Sequence, residues 1–75
     1  MSELMSRITL DAGKMHGKPC IQGLRIRVQD VLEMLASGMT AEEILEAFPD
    51  LEADDIRASL VYAANQVAGT AIVAA

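Results

Sequence analysis

Tryptophan is absent from this 75-residue chain, and Phe48 and Tyr62 are its only aromatic side chains. Aromatic rings usually dominate core and interface energetics, so leucine, isoleucine, valine, methionine and alanine must do the packing. Cysteine is as scarce. Cys20 stands alone, which excludes an internal disulfide framework and any metal site built on cysteine pairs, and fits a reducing, cytoplasmic setting. Histidine is also single: His16 and Cys20 are separated by what reads as turning chain, and no third His or Cys exists to complete a metal site. No Ser-His-Asp or Cys-His-Asn set can be assembled around it. Neither catalysis nor a metal or cofactor is expected.

Long uninterrupted apolar runs are missing too. Glu3 and Arg7 break up Met1 to Leu10, so a secretory leader is not expected. Ala58 to Ala75 carries no charge and meets the length of a membrane helix, but Ser59, Tyr62, Asn65, Gln66, Gly69 and Thr70 are scattered through it without a flanking base in the last turn. A membrane span is therefore not expected.

A chain this short forms one domain over residues 1–75 and buries only about 60% of the surface its unfolded form exposes. A partner surface would add stability as well as function. The net charge of −5 conceals a division. Met1 to Arg27 holds five bases against two acids, whereas Val28 to Ala75 holds one base, Arg57, against nine acids. Such asymmetry points to an electrostatic role for one half, or to a solvated surface that keeps a small protein soluble.

The pattern from Ile8 to Val28 is extended chain punctuated by Gly13, Gly17 and Gly23. Gln22-Gly23-Leu24 is expected to turn between short strands. Ile26 and Val28 alternate with Arg25 and Arg27, as in a half-buried strand with a basic outer face. From Val28 the period changes. Val28, Val31, Leu32 and Leu35 trace a helical stripe to about Ser37, with Gly38 at the C-terminal cap. Thr40 and Glu43 form a capping box for a second helix, with Ala41, Ile44, Leu45 and Phe48 inward and Pro49 as its stop.

A third helix is expected from about Ala53, with Asp54 and Asp55 at the positive end of its dipole and Asp50 as the residue available to cap it. Ile56, Leu60, Ala63 and Val67 form its expected inner stripe. Val61, Ala64 and Ala68 make a second apolar row, and an apolar tail spans residues 69–75 with Ile72 and Val73. That surplus suggests burial against another chain, with Val61, Tyr62, Ala64, Gln66, Ala68, Ile72 and Val73 at the interface.

The fold class is thus mainly α: a β segment over residues 8–28, then three helices over residues 28–68 in the order of a helix-turn-helix domain, the third in the recognition position. Asp54 and Asp55 would repel phosphates there, so the third helix reads as structural. Lys18, Arg25 and Arg27 suit anions better. Guanidinium forks grip phosphate or carboxylate, on DNA or in a partner's acidic active site, unless they pair with Asp30, Glu33 or a second copy.

The run Gly17-Lys18-Pro19-Cys20-Ile21-Gln22-Gly23-Leu24-Arg25-Ile26-Arg27-Val28, with Leu35-Ala36-Ser37-Gly38, Ile44-Leu45, Phe48-Pro49-Asp50-Leu51 and Asp54-Asp55-Ile56-Arg57, resembles the prokaryotic family known as domain of unknown function 433. The resemblance covers about Ile8 to Ala64. It implies a homeodomain-like helix-turn-helix bundle after a short β segment, and an antitoxin-like role, since members resemble VapB-type antitoxins that accompany a PIN-like nuclease. Leu24 stands where many members have Thr, and Arg27 where many have Pro. The leading expectation is an antitoxin that neutralises its cognate toxin by protein contact, with Lys18, Arg25, Arg27 and Arg57 as candidate contacts to nucleic acid or an acidic site. The alternative is a dimeric autoregulator bound to promoter DNA, and a third reading is a homodimerising module with no ligand.

Overall fold

β-branched side chains at Ile8, Ile21, Ile26 and Val28 favour extended backbone, and the helix-forming stretches begin where alternation gives way to a helical stripe. The computed structural model of the chain describes residues 2–10, 13 and 17–69. Its elements are α1 (Ser2–Met5), β1 (Ile8–Thr9), β2 (Cys20–Ile21), α2 (Val28–Ala36), α3 (Ala41–Ala47) and α4 (Ala53–Ala68). The architecture is mainly helical, with one short antiparallel strand pair. The three helices expected from the sequence are α2, α3 and α4; α1 was not expected.

β1 and β2 pair Ile8 with Ile21 and Thr9 with Cys20. A turn follows β2, closed by the Leu24 amide donating to the Ile21 carbonyl at 3.0 Å. Gly23 holds φ at 78° in its third position, where positive φ favours glycine. The returning segment bonds β2 through Ile21 N–H to the Ile26 carbonyl and Val28 N–H to the Pro19 carbonyl. The strand expected over Arg25 to Val28 is reduced to a single bridge, Cys20 with Arg27, because Arg27 already serves as the residue that precedes α2.

All three longer helices start with one device: an acid at the third helical position accepts a hydrogen bond from the amide just before the helix. Asp30 accepts from Arg27 N–H at 3.0 Å, Glu43 from Thr40 N–H at 2.8 Å, and Asp55 from Glu52 N–H at 2.8 Å. Only at Thr40 is the box reciprocal as expected, its hydroxyl accepting from Glu43 N–H. The cap expected from Asp50 is replaced by Asp55. α2 ends in a Schellman motif, with Gly38 N–H on the Leu35 carbonyl, Met39 N–H on the Met34 carbonyl and Gly38 at φ 104°. α3 stops where Phe48 turns extended before Pro49.

The core is Ile21, Val31, Ile44, Leu51 and Ile56, flanked by half-buried Ile8, Leu24, Ile26, Met34, Leu35, Met39 and Leu45. Two expected inner faces are corrected. On α3, Ile44 is buried and Leu45 half-buried, but Ala41 and Phe48 are exposed. On α4 only Ile56 of the expected stripe is buried; Ala63 is half-buried, while Leu60 and Val67 are 48% and 70% exposed. The buried positions are instead Asp55, Ile56, Ala58 and Ser59. Their source is α1 and β1, which pack on α4 and draw the Asp55 side inward. Ser59 is satisfied there by donating its hydroxyl to the Asp55 carbonyl at 2.9 Å.

Ile44 is fully enclosed, so Ile44→Ala should lower unfolding free energy by about 2–5 kcal/mol in urea titrations. A loss below about 1 kcal/mol would place Ile44 outside the cooperative core.

Candidate functional site

Arg7, ahead of β1, reaches the start of α4. Its Nη1 donates to Glu52 Oε1 at 2.8 Å and to Asp55 Oδ1 at 3.0 Å, and Nη2 lies 3.9 Å from Asp54 Oδ2. Asp55 is only 6% exposed. Its other oxygen takes the Glu52 amide, so a buried carboxylate has both a charge partner and a backbone donor. The hydrogen bonds with Glu52 and Asp55 hold the Arg7 guanidinium above its ordinary pKa. Sequence reasoning missed Arg7, whose partners are 45 and 48 residues away. Only the Glu-x-x-Asp spacing at Glu52 and Asp55 carried a local signal.

The expected cations separate. Arg27 is half-buried and bound to Asp30, Nη2 to Oδ1 at 2.7 Å and Nε to Oδ2 at 3.1 Å, which is the internal pairing weighed from the sequence. Arg57 is exposed and lies 3.4 Å from Asp54. Lys18 and Arg25 are exposed and make no salt bridge among the described residues. They do not share a site: Lys18 lines a groove between α2 and α4, Arg25 a concavity with Met34 and Phe48.

The expected interface residues also divide. Tyr62 and Gln66 line the groove with Lys18. Val61 is half-buried, and Ala64 and Ala68 are exposed, following exposed Leu60 at helical spacing along another side of α4. Ile72 and Val73, like His16, lie outside the described residues. The groove has a volume of about 330 Å³ and is walled by Pro19, Val28 and Leu32 on one side and Ala63 and Val67 on the other. It forms because the buried row of α4 continues through Tyr62, Ala63 and Gln66 beyond the last core residue. Among the described residues, no group of three His, Cys, Asp or Glu side chains is placed to hold a metal ion. No helix among them is long and apolar enough to cross a membrane.

Residues 8–63 match the family described as Protein of unknown function (DUF433). The chain belongs to the DUF433 family. A relative, "Uncharacterized protein y4eO" of Sinorhizobium fredii (strain NBRC 101917 / NGR234), is 38% identical over 63 residues. The match covers 83% of this DUF433 chain and 28% of that protein. No solved structure matches the chain. The family match begins one residue after Arg7 and ends at Ala63, so the α1 contact and the last turn of the groove wall fall outside it.

Two outcomes follow from the ion pairs. Arg7→Ala should lower the urea midpoint more than Arg57→Ala, because it strips the buried Asp55 of its partner whereas the Arg57 pair is solvated; equal effects would contradict the buried role. The hydrogen bond from the Arg27 side chain holds the Asp30 carboxyl below the ordinary aspartate value of 3.8. A depressed folded value means that the stability from this pair is complete above 3.8 and is lost as pH falls through the lower, folded value. The gap in urea midpoint between wild type and Asp30→Asn should therefore narrow in that acid range; a gap independent of pH would contradict the assignment.

Proposed function

We propose that this chain is an antitoxin-like binding module that holds a cognate PIN-like nuclease inactive by protein-protein contact. The observation that carries this reading is uncovered apolar surface on the C-terminal half of α4, where Leu60 and Val67 are exposed beside Ala64 and Ala68. Exposed contiguous apolar surface on a small domain marks an interaction site. The kind of client comes from the family resemblance to VapB-type antitoxins. Arg25 is the guanidinium available to meet the metal-binding carboxylates of a nuclease, since Arg27 is committed to Asp30. Cys20, a buried free thiol, accords with a cytoplasmic setting.

The absence of salt-bridge partners for Lys18 and Arg25 among the described residues favours a second reading. In it, two copies act as a promoter-binding autoregulator, with α2, α3 and α4 in a homeodomain-like trihelical arrangement. Glu52, Asp54 and Asp55 at the head of α4 work against that helix entering DNA, which leaves the basic N-terminal segment as the contact. This reading requires affinity for promoter DNA that falls steeply with salt.

Co-expression with the product of the adjacent gene tests the first reading. The two should co-purify with nuclease activity suppressed. Leu60→Glu should abolish the complex while shifting stability by no more than about 0.5 kcal/mol, because Leu60 is solvent-facing. Failure to co-purify, or a complex indifferent to Leu60→Glu, would contradict it.

A further inference from the structure

The groove between α2 and α4 has one chemical asymmetry. Its walls are apolar or neutral, among them Leu32, Tyr62, Ala63 and Val67, and its single charged lining residue is Lys18. The two helices that flank it are net acidic, with Asp30, Glu33, Asp54 and Asp55 against Arg57. Among the described residues Lys18 has no salt-bridge partner. A ligand that fills the groove therefore brings apolar side chains for the walls and a negative charge for Lys18.

Nucleic acid fits poorly: its phosphates require several cations, and its backbone offers nothing to an apolar wall. Self-association through this face fits poorly too. In a two-fold contact the same patch meets itself, and this patch would bring two lysines together with no carboxylate between them. A segment from a different protein satisfies both demands. A volume of about 330 Å³ takes a few side chains rather than a whole helix, which matches the way an amphipathic helix lays spaced apolar anchors into a groove.

We propose that the groove between α2 and α4 receives an amphipathic partner-protein segment whose apolar anchors pack on Leu32, Tyr62 and Ala63 and whose carboxylate pairs with Lys18. This rests on the partner-binding reading above and adds the chemistry of the partner's contacting segment.

The test is an NMR titration of the ¹⁵N-labelled full chain with two synthetic amphipathic helices that share a leucine stripe, one flanked by glutamates and the other by lysines. The glutamate peptide should shift the amides of Leu32, Tyr62 and Ala63 and bind more tightly than its lysine twin. Lys18→Glu should reverse that order. Gln66→Glu, which places a competing carboxylate in the lining, should weaken the glutamate peptide about fivefold, the scale of one solvated ion pair. Both substitutions fall at exposed positions, and an unchanged amide spectrum for each free variant reports an intact fold. No binding of the glutamate peptide, equal affinity for the two peptides, or shifts confined to other faces would overturn the proposal. A nuclease that co-purifies but is insensitive to Lys18→Glu and Gln66→Glu would overturn the groove assignment and leave the antitoxin-like reading standing. Peptide binding without any co-purifying nuclease would do the reverse.

Discussion

Asp55 is where the N-terminal segment meets the head of α4. One oxygen takes the amide that starts α4, the other takes Arg7 from the N-terminal segment, and its own carbonyl receives the Ser59 hydroxyl one turn on. A carboxylate this buried is tolerable only with such partners, because an unpaired charge in an apolar interior is expensive. The ion pair therefore does more than decorate the surface. It fixes the rotation of α4, selecting Asp55, Ile56, Ala58 and Ser59 as the inward side, and it ties the β1 segment to the helix it packs against.

Fixing α4 at its head has a consequence at its tail. The core is small and rests on the first turns of the helix, through Ile56, while the helix runs on to Ala68. Among the described residues, the inward row then runs on past the core and is only partly covered. Tyr62, Ala63 and Gln66 become a groove wall, and Leu60, Ala64 and Ala68 lie open on another side. A chain with few aromatics and little surface to bury gains from a partner on such a face, which links the anchoring geometry to the antitoxin-like reading.

Much of this was legible in the sequence where the signal is local. The change of period at Val28, the Thr40 and Glu43 box, Gly38 after α2 and Pro49 after α3 place helix ends through interactions spanning a few residues, and Gly23 marks its turn in the same way. The surplus apolar row that pointed to a contact face was Val61, Ala64 and Ala68; Tyr62 and Gln66, grouped with it, line the groove instead. What was not legible is non-local. Arg7 finds Asp55 across 48 residues, and no spacing rule reports that. Without it, Leu60 and Val67 outweigh Asp55 and Ser59 in choosing the inner face of an alanine-rich helix, and the rotation comes out wrong. Lys18, Arg25 and Arg27 look like one cluster along the chain, yet the turn and the start of α2 send them to different surroundings.

Amide hydrogen exchange along α4 in the free chain distinguishes a helix anchored at its head and uncovered at its tail from one covered throughout. Amides just past the first turn, at Arg57 to Leu60, should approach the protection of the global unfolding reaction, whereas those from Ala63 to Ala68 should exchange through local opening at much lower free energy. Uniform protection through Ala68 would mean that the chain already covers this face itself, and would contradict an uncovered tail.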